Sequence, residues 1–182
     1  VGAGICGCCR IIEDMEKVIT KEQVAQTVRE AIPHLACELP PDILAGIQEA
    51  ARTETSPRGS EVLRQLCENA RIAAEDHVPI CQDTGTVWVC LEAGPGVLVE
   101  ADVFASVNEA VGAAYTEHLL RKSVVRNAVH DRANTGDNTP AFCEFHPISE
   151  PGAARISIML KGGGSDNASR CLLYTSPSPR DS

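Results

Sequence analysis

The feature that most constrains this chain is a change of hydrophobic period near residue 80. Upstream, apolar residues recur at helical spacing; downstream, they alternate as in a strand. Val24, Val28, Ile32 and Leu35 share one side of a helix, and Thr20 with Gln23 forms a capping-box signal ahead of it. The spacing predicts a helix from about Lys21, disturbed near Pro33, whose ring carries no backbone N–H. ELPPD breaks that helix, and Ile43, Leu44, Ile47 and Ala51 predict a second, amphipathic one. Ser56 before Pro57 is a cap with proline at the first helical position. It opens a third helix with Val62, Leu63, Leu66, Cys67, Ala70 and Ala73 on one face.

Beyond VPICQDTG the pattern is that of strands. TVWVCLEAG reads as a strand, GPG as a turn and VLVEAD as a second strand, together a hairpin. A long helix is expected from Asp102 to about Arg121 and Lys122. NAVHDRANTGDNTP is dense in turn residues, and AFCEFHPI and ARISIMLK read as two further strands before the glycine run KGGGSDN. The order predicts an α/β mixed fold: an N-terminal helical layer followed by a small mixed β-sheet with helices.

The two ends differ in character from the body. Met15 opens a stretch that reads as a natural start, so residues 1–14 are expected to be a non-native leader. CLLYTSPSPRDS has Ser and Pro alternation and no helical or strand period, so residues 171–182 read as an adapter-derived or disordered tail. The expected domain is 15–170, incomplete at its C-terminal side. A formal net charge of −9 and a pI near 5.0 argue against a nucleic-acid or anionic-membrane partner. No apolar run approaches the roughly 18 residues of a membrane helix. VGAGICGCC lacks the basic leader and apolar stretch of a secretory signal, and the expected location is the cytoplasm.

Nine cysteines in such a chain suggest metal or catalysis rather than a disulfide framework, because their spacing is irregular and no C-x-x-C pair occurs among the body cysteines Cys37, Cys67, Cys81, Cys90 and Cys143. Cys37 and Cys67 fall on helical faces and read as small apolar packers. Cys90, nine residues after Cys81 and at the far end of a strand, reads as core. His77, His118, His130 and His146 read as surface or boundary histidines. Three loops rich in Gly, Asp, Asn and Thr, namely CQDTG (81–85), NTGDNTP (134–140) and KGGGSDN (161–167), each sit beside a strand. Together they suggest one site assembled from separate segments.

PICQDTGT, YTEHLLRKSVV, NTGDNTPA and KGGGSDN, in that order, resemble the N-terminal catalytic half of the class I, iron–sulfur-dependent fumarate hydratases. The likeness is to the separate α subunit of two-subunit members, a family that includes the L-tartrate dehydratases, and it covers about Met15 to Arg170. It implies a [4Fe-4S] cluster held by three cysteine thiolates, with one iron left open as a Lewis acid. By that resemblance Cys81 is the metal ligand and Asp83 the catalytic carboxylate that handles the proton of the substrate hydroxyl. Gln82, Thr84, Arg121, Gly136 and Lys161 are the implied substrate-binding residues. Gln82 and Arg121 would hold substrate carboxylates, Thr84 would shape the turn, Gly136 would bring backbone close, and Lys161 with Gly162–Ser165 would form a wall.

Plainer roles stay open beside these. An aspartate at position 83 also stabilises turns through its own backbone, and Arg121 and Lys122 also complement a helix C-terminus. The second cluster cysteine of single-chain relatives falls where this chain reads ISIML; in two-subunit members it falls in or after GGGSDN, or at Cys143, a loose candidate that also reads as a buried strand thiol. The third lies in a CPP segment beyond Ser182. The resemblance further implies a small dicarboxylate substrate (fumarate/malate, or tartrate as the alternative). It also implies a β subunit or C-terminal domain supplying the general base, hence a hetero-oligomer inactive without that part. A non-catalytic binding module without a cluster is the alternative of another class.

Overall fold

A computed structural model of the chain describes residues 9–11, backbone only, and 18–164. Its elements are β1 (Cys9–Ile11), α1 (Lys21–Cys37), α2 (Pro41–Thr53), α3 (Pro57–Asp76), β2 (Thr86–Ala93), α4 (Val107–Glu117), β3 (Phe142–Pro147) and β4 (Ala154–Lys161). The fold is α/β mixed with the helices leading, as the change of period requires. The leader boundary at 14 and the tail from 171 fall largely outside the described residues, although β1 pairs antiparallel with β4.

Helix α1 starts where its cap says it should. The Thr20 side chain accepts from the Gln23 N–H while the Gln23 side chain accepts from the Thr20 N–H. The helix runs through Pro33 to Cys37, because Val28 and Ile32 before the proline and Ala36 and Cys37 after it are all buried. Helix α3 opens on Ser56, whose hydroxyl accepts from the Gly59 N–H. It ends at His77, which adopts a left-handed conformation (φ 52°). Helix α2 forms as expected but buries none of its residues among those described, and Ile43 is 49% exposed.

The sheet has the order β1-β4-β2-β3, with β2 antiparallel to β4 and parallel to β3. The expected hairpin of TVWVCLEAG with VLVEAD does not form. Residues 97–100 instead run past Ile19, which donates to the Leu98 carbonyl at 2.8 Å and accepts from the Glu100 N–H at 2.9 Å. The reason is reach: β4 matches β2 over its whole length, Thr86↔Lys161 to Ala93↔Ala154, and aligns Ile156 and Ile158 with its buried residues. The four residues of VLVE offer half that ladder. On the inner face Val87, Val89, Leu91, Ile156 and Ile158 meet Val24, Val28 and Ile32 of α1 and Val107, Val111, Ala114 and Tyr115 of α4. Cys37 is buried and Cys143 packs against this core, and burial pushes both thiols up from the ordinary range.

Helix α4 is shorter than expected at both ends. Residues 101–106 are turns, with Asp102 at φ 56°. At the other end Leu119 takes φ 54°, and the Leu120 N–H donates back to the Tyr115 carbonyl at 3.0 Å. That reversal leaves Leu119 89% exposed, buries Leu120 to 4% exposure, and turns Arg121 toward the end of the sheet where β2 begins.

Cys90 departs from its expected place. Burial alternates along β2, and Cys90 falls with Trp88 and Glu92 on the face turned away from the core. It is half-buried there, and burial together with the Glu92 and Glu144 carboxylates pushes its thiol up.

Candidate active site

The first loop is delivered by helix ends. After His77 the Ile80 N–H donates to the Ala36 carbonyl at 2.9 Å, and the Ile80 carbonyl accepts from the Asn69 side chain at 2.9 Å. With Ile80 pinned between α1 and α3, Cys81 stands exposed at the next position, its thiol directed to the Gln82 Oε1 at 3.1 Å. Gly85, at φ 72°, brings the loop against the end of β4. A Cβ there would meet Lys161 C at 2.6 Å and Gly162 N at 2.9 Å, both backbone atoms that cannot swing aside. This approach joins CQDTG to the start of KGGG.

Asp83 spans the same seam. Its Oδ1 accepts from the Gly85 N–H at 3.2 Å and its Oδ2 from the Gly164 N–H at 3.3 Å. The turn-stabilising bond is thus made, and each carboxylate oxygen retains a second lone pair. Thr84 is buried, its hydroxyl donating to the Arg121 carbonyl and its own carbonyl accepting from the Tyr115 hydroxyl at 2.8 Å. Burial pushes the Tyr115 phenol up to about 12, with the Asp83 carboxylate adding to it against the opposing hydrogen bond to Thr84. Tyr115 is therefore a fixed donor at neutral pH.

Arg121 is exposed, and its Nη1 donates to the Gln82 carbonyl at 3.3 Å. The residue that joins the remaining loop is Asn138, fully buried and at φ 65°. Its Nδ2 donates to the Gly85 carbonyl at 2.9 Å, and its Oδ1 accepts from Ser123 N–H at 2.8 Å and Val124 N–H at 3.2 Å. One carboxamide thus ties CQDTG, RKSVV and NTGDN together. The loop is braced further where Asn134 donates to the Lys122 carbonyl at 2.7 Å and Asp137 accepts from the Thr139 hydroxyl at 2.7 Å. That hydroxyl, foremost, holds the Asp137 carboxyl below its ordinary range. Gly136 sits at φ 87° on the surface, and a Cβ there would meet nothing within 4 Å, so its backbone angle rather than crowding calls for glycine.

Of the seven residues expected at the site, Cys81, Gln82, Asp83, Thr84, Arg121 and Lys161 are brought to one end of the sheet. Gly136 joins them through the Asn134 and Asn138 bonds. Lys161 ends β4 directly opposite Thr86. Thr84 is internal and holds the loops rather than facing outward. Sequence reasoning missed Asn138 and Tyr115, although NTGDN contains the first and YTEHLL begins with the second. Ser165, Asp166 and Asn167 of the KGGGSDN loop lie outside the described residues. Chemically, the exposed rim offers a soft thiol, a carboxamide, a carboxylate and a planar guanidinium, a set suited to an oxygen-rich anion beside a metal.

A model of the fumarate hydratase (Fumerase) family matches residues 25–180. An archaeal protein of Methanocaldococcus jannaschii named "Putative L(+)-tartrate dehydratase subunit alpha" is 30% identical over 151 residues, covering 81% of this chain and 53% of its own length. The L(+)-tartrate dehydratase subunit alpha of Escherichia coli K12 is 24% identical over 151 residues, covering 79% and 49%. The chain belongs to the fumarate hydratase family, and it spans about half the length of the curated relatives it matches.

Proposed function

We propose that this chain is the N-terminal part of the α subunit of a hydro-lyase that interconverts fumarate and malate. The observation that carries the reading is the convergence of CQDTG, RKSVV, NTGDN and KGGG at one end of the sheet, with Cys81, Asp83 and Arg121 joined through short loop contacts. Removing water from malate breaks a C–O bond and the neighbouring C–H bond and forms a C=C bond, with no net oxidation. Hydroxide leaves poorly, and a [4Fe-4S] cluster supplies Lewis-acid assistance when bound. The described residues fit one corner of such a cluster: an exposed thiol presented on a pinned backbone. Among them no second thiol joins Cys81 in a metal-holding group. By the family resemblance the third ligand falls in a CPP segment beyond Ser182, while Cys143, the loose candidate for the second, packs against the core.

The chain's own groups then take definite tasks. Arg121 offers a two-point fork to a substrate carboxylate, and Gln82 offers amide hydrogens to the same end of the molecule. Asp83, held in place by the Gly85 and Gly164 N–H groups, takes or returns the proton at the hydroxyl. Lys161 and the Gly162–Gly164 backbone close one wall. A β subunit or C-terminal domain supplies the base for the C–H bond, and the enzyme is a cytoplasmic hetero-oligomer. No described helix is long and apolar enough to cross a membrane. The names of the curated relatives favour a second reading in which L(+)-tartrate is the substrate.

The test is anaerobic iron and sulfide reconstitution of the complete α subunit with its β partner, followed by assays with malate, fumarate and L(+)-tartrate. Turnover of malate and fumarate supports the first reading and turnover of tartrate alone the second. A sample that takes up no iron and turns over none of the three is a binding module.

A further inference from the structure

We propose that Cys90, Glu144 and His146 form a binding site for a zinc-class divalent metal ion on the outer face of the sheet. The parallel ladder sets Cys90 beside Glu144 and Glu92 beside His146, so the three donors come from adjacent strands on one surface. One ligand atom from each, Sγ, a carboxylate oxygen and a ring nitrogen, lies within 4.8 Å of the others. Tetrahedral zinc with bonds of about 2.0–2.3 Å needs ligand atoms roughly 3.3–3.8 Å apart. The His146 Nε2 and Glu144 Oε2 stand 3.1 Å apart as a hydrogen-bonded pair, a contact that a shared metal ion would replace.

The chemistry of the set selects the metal. A thiolate with an imidazole and a carboxylate suits zinc and its borderline neighbours, whereas magnesium and calcium take oxygen alone. Thiolate and carboxylate together balance the two positive charges of the ion, with the imidazole neutral and the thiol proton released to solvent. Glu92 is not drawn in as a fourth ligand, because Arg155 holds it at 3.2 Å. Glu144 and His146 are exposed, so the fourth position is left to water. The stacked Trp88–Phe142 pair, with ring centroids 4.8 Å apart, stands next along the same two strands and gives the site an apolar flank.

The same geometry provides the assay. Trp88 is the chain's single tryptophan and lies two positions before Cys90 on the same face, so its fluorescence reports the arrival of Co²⁺. The full 182-residue chain is titrated with Co²⁺ in a background carrying Cys6→Ser, Cys8→Ser, Cys9→Ser, Cys81→Ser and Cys171→Ser, which removes competing thiols. The expected result is one equivalent bound, a thiolate-to-cobalt charge-transfer band, quenching of Trp88, and displacement by Zn²⁺. Cys90→Ser should abolish the band. His146→Ala and Glu144→Gln, both at exposed edge-strand positions where folding is undisturbed, should each weaken binding by more than about tenfold, the least expected for losing a direct ligand. In the unaltered chain, His146→Ala should remove one bound equivalent. Absence of the band in the background, or unchanged affinity in both His146→Ala and Glu144→Gln, overturns the proposal.

Discussion

Replacing Asn138 should dismantle the site from the inside, and the size of the effect follows from the bonds it makes. Its side chain is wholly buried and engages the Gly85 carbonyl and the Ser123 and Val124 N–H groups. Asn138→Ala leaves these backbone groups short of partners away from water, at about 1 kcal/mol each or roughly 3 kcal/mol in all. Alanine must also hold φ 65°, which asparagine tolerates better, adding about 1 kcal/mol. The expected loss is therefore about 4 kcal/mol. Asn138→Gly separates the two contributions, because glycine accepts the angle but not the bonds, and should lose about 1 kcal/mol less than alanine, before its own unfolded-state entropy is counted. Urea unfolding of the full chain reads both values. A loss under about 1 kcal/mol for Asn138→Ala would refute the view that one carboxamide holds the loops together.

Other perturbations test the same architecture. Gly85→Ala would place a Cβ against the Lys161 and Gly162 backbone at a φ of 72° and should cost about 2–4 kcal/mol, read as a lowered thermal midpoint. Adjacent leucines should answer oppositely: Leu120→Ala, at a core position, should cost about 2–4 kcal/mol. Leu119→Gly, exposed and left-handed, should be neutral or gain up to about 1 kcal/mol. Asp137, its carboxyl held low by the Thr139 hydroxyl, contributes stability that is present above the ordinary aspartate range and lost as pH falls through its lowered value. Thr139→Val should reduce that acid-side loss, so equal pH slopes for the two proteins in acid unfolding would count against the pairing.

What the sequence revealed was mostly local. The Thr20–Gln23 box, the Ser56–Pro57 cap and the alternation of β2 are set by neighbours within a few residues, and each element starts where its signal lies. Pairing between distant strands was not legible. VLVEAD has strand composition, yet β2 spends its edges on β3 and β4, which reach it from more than forty residues away. The end of α4 was hidden for a similar reason: Leu119 and Leu120 look alike in sequence, and burial of Leu120 in the core reverses the chain between them. At the candidate site, Cys81, Gln82, Asp83 and Arg121 were legible because they stand within the motifs that carry the family resemblance. Asn138 and Tyr115 were not, since their task is to satisfy backbone groups that meet only once the loops have closed. Cys90 was read as core from its distance to Cys81 along the strand, which does not say which face of the strand is covered; the helices cover the other one.

The most direct test of the account is the iron content of the anaerobically reconstituted complete enzyme, compared between the native α subunit and Cys81→Ser. About four irons per native α chain are expected, with loss of the cluster in the variant, because among the described residues Cys81 is the exposed thiol of the converged loops. Equal iron retained by both proteins would contradict it.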